Sequence, residues 1–132
     1  AAAAVAGRAG ICQQAFINDM SNAYAAADIV VSRSGAMSVT ELCMAGKPVI
    51  FVPFPFAAED HQTANALALV KKNAALLVKD DAANTELIPA VLGLLQNEKK
   101  RKEMTEAIKA LAKYDADTFI AQQILNTVHV VA

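Results

Sequence analysis

The side chains with chemical potential gather at a few junctions of the chain. In Val30-Val31-Ser32-Arg33-Ser34-Gly35-Ala36-Met37-Ser38-Val39-Thr40-Glu41, an apolar run passes into small residues and then into a helical pattern. Gly35 would let a ligand approach the backbone closely. The first N–H groups of the following helix have no internal acceptors, and with the helix dipole they attract an anion such as a diphosphate. Glu41 lies about one turn into that helix, and a carboxylate that accepts two hydrogen bonds suits the two hydroxyls of a ribose. A structural alternative fits the same residues. Ser38-Val39-Thr40-Glu41 spells a capping box in which Glu41 reaches back to Ser38, and spacing alone does not choose between the two.

The second junction runs from Phe51-Val52-Pro53-Phe54-Pro55-Phe56 into Glu59-Asp60-His61-Gln62-Thr63-Ala64-Asn65. Gln62 and Asn65 are three apart and share a helix face. Their amides donate and accept together, as recognition of sugar hydroxyls requires, although a polar first turn is also simply solvated. His61 has the pKa range of a general base, but no Ser or Cys nucleophile motif surrounds it; His129, among valines, reads as structural. The third junction is Phe16-Ile17-Asn18-Asp19-Met20. An apolar strand end with free backbone groups could hold a flat base, and ordinary core followed by a helix cap would look the same.

The elements that must position these residues alternate between strand and helix. A short strand is expected at residues 11–17, then Asn18 as N-cap of a helix over 19–27 with Met20, Ala23, Tyr24 and Ala27 on one stripe. A buried strand follows at 28–32, a turn at 34–36, and a helix to about Ala45 that Gly46 stops. A second buried strand is expected at 48–52. The two prolines after it exclude helix and central strand. A helix at 59–72, a third buried strand at 74–78 and a polar turn at 80–84 come next. From Thr85 onward the pattern is helical, in three helices over about 85–96, 98–113 and 118–130. The expected fold class is therefore α/β, a Rossmann-like parallel sheet with helices on both faces and right-handed connections. About four strands are expected where a complete nucleotide-binding half has six, so the first strands of the sheet are expected to be missing. The division expected is an α/β part over about 1–80 and a helical part over about 84–132.

Composition narrows the functional classes. The 132 residues suit one domain; 55% are hydrophobic and only 5% aromatic, which favours tight helix packing over a β-sandwich. A net charge of −1 argues against broad nucleic-acid binding. Lys99, Lys100, Arg101 and Lys102 are interspersed with Glu98, Glu103 and Glu106 and read as a solvated helix face. Cys12 and Cys43 lack C-x-x-C spacing and a nearby histidine pair, so they read as buried free thiols in a reducing compartment, with no metal site. No apolar run approaches the ~18 residues that span a bilayer, and the alanine-rich start lacks the features of a signal peptide. The first residue is not Met, which together with the short strand count suggests an excised piece of a longer protein.

Several segments in one order resemble a known family. F-I-N-D-M-S-N-A-Y-A-A-A-D-I-V-V-S-R-S-G-A-M-S-V-T-E at 16–41, G-K-P-V-I-F-V-P-F-P at 46–55 and E-D-H-Q-T-A-N-A at 59–66 are similar to the C-terminal domain of the MurG family of bacterial N-acetylglucosaminyltransferases. The likeness runs from about Phe16 to Val78. It implies two Rossmann-like domains of the GT-B type facing each other across a cleft. This chain would be the half that binds UDP-N-acetylglucosamine, and the missing N-terminal domain would bind the lipid-linked muramoyl-pentapeptide acceptor at the inner membrane face. By position, the Ile17 backbone would meet the uracil and Glu41 the ribose. The turn at Ser34 and Gly35, with Ala36, Met37 and Ser38, would surround the diphosphate. Gln62 and Asn65 would hold the N-acetylglucosamine hydroxyls. His61 is variable among relatives, and Arg33 would support the turn.

In such an enzyme the acceptor hydroxyl inverts the anomeric carbon. No metal or other cofactor is implied, no catalytic residue falls in this chain, and the chain alone is expected to be inactive. Asp115-Ala116-Asp117 matches the metal-binding D-x-D of another glycosyltransferase class, but it lies between expected helices and reads as capping; Asp80-Asp81 likewise reads as a turn. Two rivals are a UDP-N-acetylglucosamine 2-epimerase-like domain, which D-H-Q-T-A-N-A disfavours, and a stand-alone nucleotide-binding module, which an open sheet edge disfavours.

Overall fold

The computed structural model describes residues 9–11, 14, 18–55 and 61–112. Helix α1 (Met20–Ala26) leads to β1 (Val30–Ser32), α2 (Ala36–Ala45), β2 (Val49–Phe51), α3 (His61–Val70), β3 (Leu76–Leu77), a 3-10 turn at Asp80–Ala82 and α4 (Ala83–Leu95). A further helix, α5, covers residues 98–112. The strands make one sheet in the order β1-β2-β3, and both pairs are parallel, with Val30 opposite Val49 and Ile50 opposite Leu76. Parallel neighbours need crossover connections, and α2 and α3 supply them.

Alternation along β2 shows how the layers form. Val49 and Phe51 enter one cluster with Leu42, Ala66, Leu69 and Ile108. Ile50 and Val52 enter the other with Val78, Leu94 and Met104. Successive strand side chains point to opposite faces, so α2 and α3 cover one face of the sheet and α4 the other. β2 is buried on both faces, which explains why Val49-Ile50-Phe51 is apolar without interruption. Helix α5 joins the layers, because Met104 belongs to one cluster and Ile108 to the other, and both are fully buried. The Lys109 side chain lies against Gly46, just before β2, so α5 crosses at the amino ends of the strands.

Local sequence sets the boundaries. Gly46 takes the left-handed conformation at φ 68° and its N–H donates to the Leu42 carbonyl, closing α2. After α3, Asn73 makes the equivalent reversal at φ 59°, a conformation Asn tolerates because its short polar side chain can hydrogen-bond locally. α4 contains Pro89, packs Leu94 inward with Leu87, Ala90 and Val91, and turns Ile88, Leu92 and Leu95 outward.

Several expectations need correction. Asp19, not Asn18, caps α1; its carboxylate accepts the Asn22 N–H at 3.1 Å. β1 is not buried throughout, since Val31 is 44% exposed. Cys43 is half-buried rather than buried. The turn after β3 spans only Asp80–Ala82 before α4 begins. Ile11 and Gln14 lie outside regular structure; the remainder of the expected 11–17 strand, with Cys12 and Ile17, is outside the described residues. So are the expected 118–130 helix, Asp115, Asp117 and His129. Arg101 is not part of a solvated face, because its guanidinium donates to the Leu94 carbonyl at 2.8 Å and to that of Leu95, closing the end of α4.

Candidate functional site

Ligands of open α/β sheets bind beyond the carboxyl ends of the strands. Three chain segments meet at that end here: Arg33-Ser34-Gly35 after β1, Val52-Pro53-Phe54 after β2, and Lys79-Asp80 after β3. Ser34 is fully buried, and its hydroxyl donates to the Gln62 carbonyl at 2.6 Å. The Asn65 amide returns a bond to the Ser34 carbonyl at 3.0 Å. The Gln62 side-chain oxygen accepts the Phe54 N–H at 2.8 Å. The structure therefore brings Ser34, Gln62 and Asn65 together. Gln62 and Asn65 have a structural task there, fastening α3 to the turn after β1. The Gln62 amide nitrogen comes within 3.8 Å of where a Cβ on Gly35 would stand, so backbone and amide are close at this turn.

The start of α2 resolves the alternative posed by the Ser38–Glu41 spacing. Gly35 is the N-cap, without any side-chain cap, and the first helical bond runs from the Val39 N–H to the Gly35 carbonyl at 3.0 Å. Ser38 is thus inside the first turn and cannot form a capping box with Glu41. The N–H groups of Ala36, Met37 and Ser38 precede the first helical bond, the condition that favours an anion. Met37 and Glu41 are four apart, so they share the exposed face of α2, where Met37 is 73% exposed. His61 opens α3 and is exposed.

Sequence reasoning missed three contributors. Arg33 does more than support its own turn. Its guanidinium donates to the Val52 carbonyl at 3.2 Å, pairs with Asp80 at 2.5 Å, and lies 5.6 Å from the centre of the Phe54 ring. Asp80, read only as a turn residue, is thereby tied to the other two segments. Tyr24, read as part of an apolar stripe, donates its hydroxyl to Glu41 at 3.2 Å. Burial and then the Glu41 carboxylate raise the Tyr24 hydroxyl above its usual 10.0. None of these links has a spacing signature, because each joins segments far apart in the chain.

Among the described residues, no three His, Cys, Asp or Glu side chains gather as a metal site would require. An open groove of about 740 Å³ lies at the opposite end of the sheet between Asp28, Gly46, Lys47 and α5. No helix among the described residues is long and apolar enough to cross a membrane.

A parallel sheet layered by helices, with polar contacts converging beyond its strand ends and an uncapped helix start beside a Ser-Gly turn, defines a Rossmann-like α/β unit. More particularly, the chain belongs to the glycosyltransferase family 28 C-terminal domain, whose family model matches residues 6–120. It is 52% identical over 111 residues to the UDP-N-acetylglucosamine--N-acetylmuramyl-(pentapeptide) pyrophosphoryl-undecaprenol N-acetylglucosamine transferase of Bacteroides fragilis, covering 84% of this chain and 29% of that protein. The protein of the same name from Flavobacterium psychrophilum is 47% identical over 113 residues, covering 86% of this chain and 31% of the relative. A crystal structure of Acinetobacter baumannii MurG superposes with a TM-score of 0.65 at 38% identity, covering 72% of this chain and 27% of that one. The chain thus spans a little under a third of the length of the curated relatives it matches.

Proposed function

We propose that this chain is the donor-binding part of an inverting N-acetylglucosaminyltransferase, which takes UDP-N-acetylglucosamine and glycosylates a lipid-linked muramoyl-pentapeptide. The observation that carries this reading is the uncapped start of α2 beside the Ser34-Gly35 turn, with Glu41 released from any capping box. The names of the relatives supply the substrates. In this reading the N–H groups of Ala36, Met37 and Ser38 receive the diphosphate, and Glu41 receives the ribose hydroxyls. Ile17 offers its backbone to the uracil. Gln62 and Asn65, already braced by Phe54 and Ser34, present their remaining amide groups to the N-acetylglucosamine; His61 lies at the margin.

The chemistry follows from charge. When the acceptor hydroxyl attacks the anomeric carbon, the bond to the β-phosphate oxygen breaks and UDP departs with added negative charge. Backbone dipoles fixed at the start of α2 stabilise that charge without reorganising. The acceptor, the general base and contact with the inner membrane surface belong to the rest of the protein in this reading. In this reading the α/β part over about 1–80 and the helical part over about 84–132 belong to one donor-binding domain, supported by the packing of Leu94, Met104 and Ile108 against the sheet.

Titration of the whole-length protein with UDP-N-acetylglucosamine, UDP and ADP, followed by thermal unfolding, tests the reading. At ten times its Kd a ligand adds about 1.4 kcal/mol to stability. Both uridine ligands should stabilise, ADP should not, and Glu41→Ala should weaken the effect. Equal stabilisation by ADP, or an unaltered response in Glu41→Ala, would refute the assignment.

A further inference from the structure

The proposed role of Glu41 raises a difficulty that α1 resolves. An exposed glutamate on a helix samples several rotamers, and freezing one of them on binding loses entropy. Glu41 is not left in that condition. Its Oε2 accepts the Tyr24 hydroxyl at 3.2 Å. The Tyr24 ring packs against the cluster that contains Leu42 and Val49, so two torsion angles and the core fix where the hydroxyl stands. α1 is itself held at a second point, where the Lys47 ammonium donates to the Ala25 carbonyl at 3.3 Å. One oxygen of Glu41 is thereby anchored. The other oxygen, and the second lone pair of the anchored one, still accept hydrogen bonds.

We propose that Tyr24 is a positioning residue that pre-sets Glu41 for the vicinal hydroxyls of a ribonucleoside diphosphate, so that α1 contributes to the preference for ribose over hydroxyl-free sugars. This rests on the reading that Glu41 meets the ribose. The raised Tyr24 hydroxyl agrees with the direction of the bond, because it keeps the proton on Tyr24 and the acceptor role on Glu41. A ligand that offers two hydroxyls gains from a carboxylate already in place. A ligand that offers none gains nothing, whatever the orientation of Glu41.

The test uses the whole-length protein and measures Kd for UDP and 2′,3′-dideoxy-UDP in wild type, Tyr24→Phe, Glu41→Ala and the double variant. Tyr24→Phe keeps the ring and its packing. The wild type should prefer UDP, and Glu41→Ala should abolish the preference. Tyr24→Phe should reduce it roughly 3- to 10-fold, the worth of a single hydrogen bond, entirely through UDP. The double variant should match Glu41→Ala. If Glu41→Ala removes the preference and Tyr24→Phe leaves it whole, the role of Tyr24 is wrong and that of Glu41 stands. If Tyr24→Phe weakens both ligands equally, Tyr24 only holds α1 in place and the proposal fails. If the wild type shows no preference, or Glu41→Ala retains it, the ribose reading falls and the proposal falls with it.

Discussion

The two ends of the sheet use hydrogen bonds differently. At the amino ends of the strands, they terminate helices. Gly46 closes α2, Arg101 closes α4, and Lys47 reaches the end of α1. At the carboxyl ends, they join loops that follow different strands, through Ser34, Gln62, Asn65, Arg33 and Asp80. The amino end has the roomy groove, and two side chains that line it, Lys47 and Arg101, are committed to neighbouring helix ends. The carboxyl end combines a cross-braced polar network with an uncapped helix. Volume marks where helices part; convergence of polar groups from separate segments marks where a ligand can be oriented.

Substitutions at the two ends should therefore separate stability from binding. The largest expected effect is at the amino end. Ile108→Ala should lose about 2–5 kcal/mol by leaving a cavity under α5, and should leave nucleotide affinity unaltered in the folded fraction, as urea unfolding and titration would show. Ser34→Ala should lose about 2 kcal/mol, because its hydroxyl is fully buried on the Gln62 carbonyl, and should weaken nucleotide binding as well. Destabilisation of this variant with unchanged affinity would break the comparison. Gly46→Ala should lose about 1.5 kcal/mol, owing to its left-handed backbone, with binding intact. Asp80→Asn removes a partly exposed ion pair and should lose about 0.5 kcal/mol, a difference that disappears in high salt.

The smallest effect is a pH dependence. The Tyr24 hydroxyl is raised in the folded state above its usual 10.0. Its stabilisation is thus complete below pH 10 and is lost as pH rises through the folded value. Between those limits the wild type should lose stability more steeply than Tyr24→Phe in alkaline denaturation curves.

The α/β pattern was legible because each strand is a short apolar run and each helix a periodic one. Val49-Ile50-Phe51 and the Gly46 stop illustrate this, and both lie where expected. Boundaries were less legible where two good caps adjoin, as with Asn18 and Asp19. The burial of β1 was overestimated because the sequence of a strand does not show whether a helix covers each face, and Val31 is exposed on one of them. At the candidate site, local spacing identified the Ser34-Gly35 turn, Gln62 and Asn65. It also offered a capping box that the start of α2 at Ala36 excludes. Arg33–Asp80 and Tyr24–Glu41 were illegible, since tertiary packing alone brings those residues together.

The chain-order sheet has a consequence for biosynthesis. Among the described strands, β2 pairs with β1 and β3 with β2, so closure entropy stays small and this part of the sheet can grow while translation continues. At about 5–20 residues per second, β2 emerges seconds before α5, during which Ile50 and Val52 await Met104, and Val49 and Phe51 await Ile108. Among the described helices, the ribosome thus delivers last the one that seals both layers. A chain stalled before α5 would expose two apolar surfaces at once and become a substrate for chaperones and proteases.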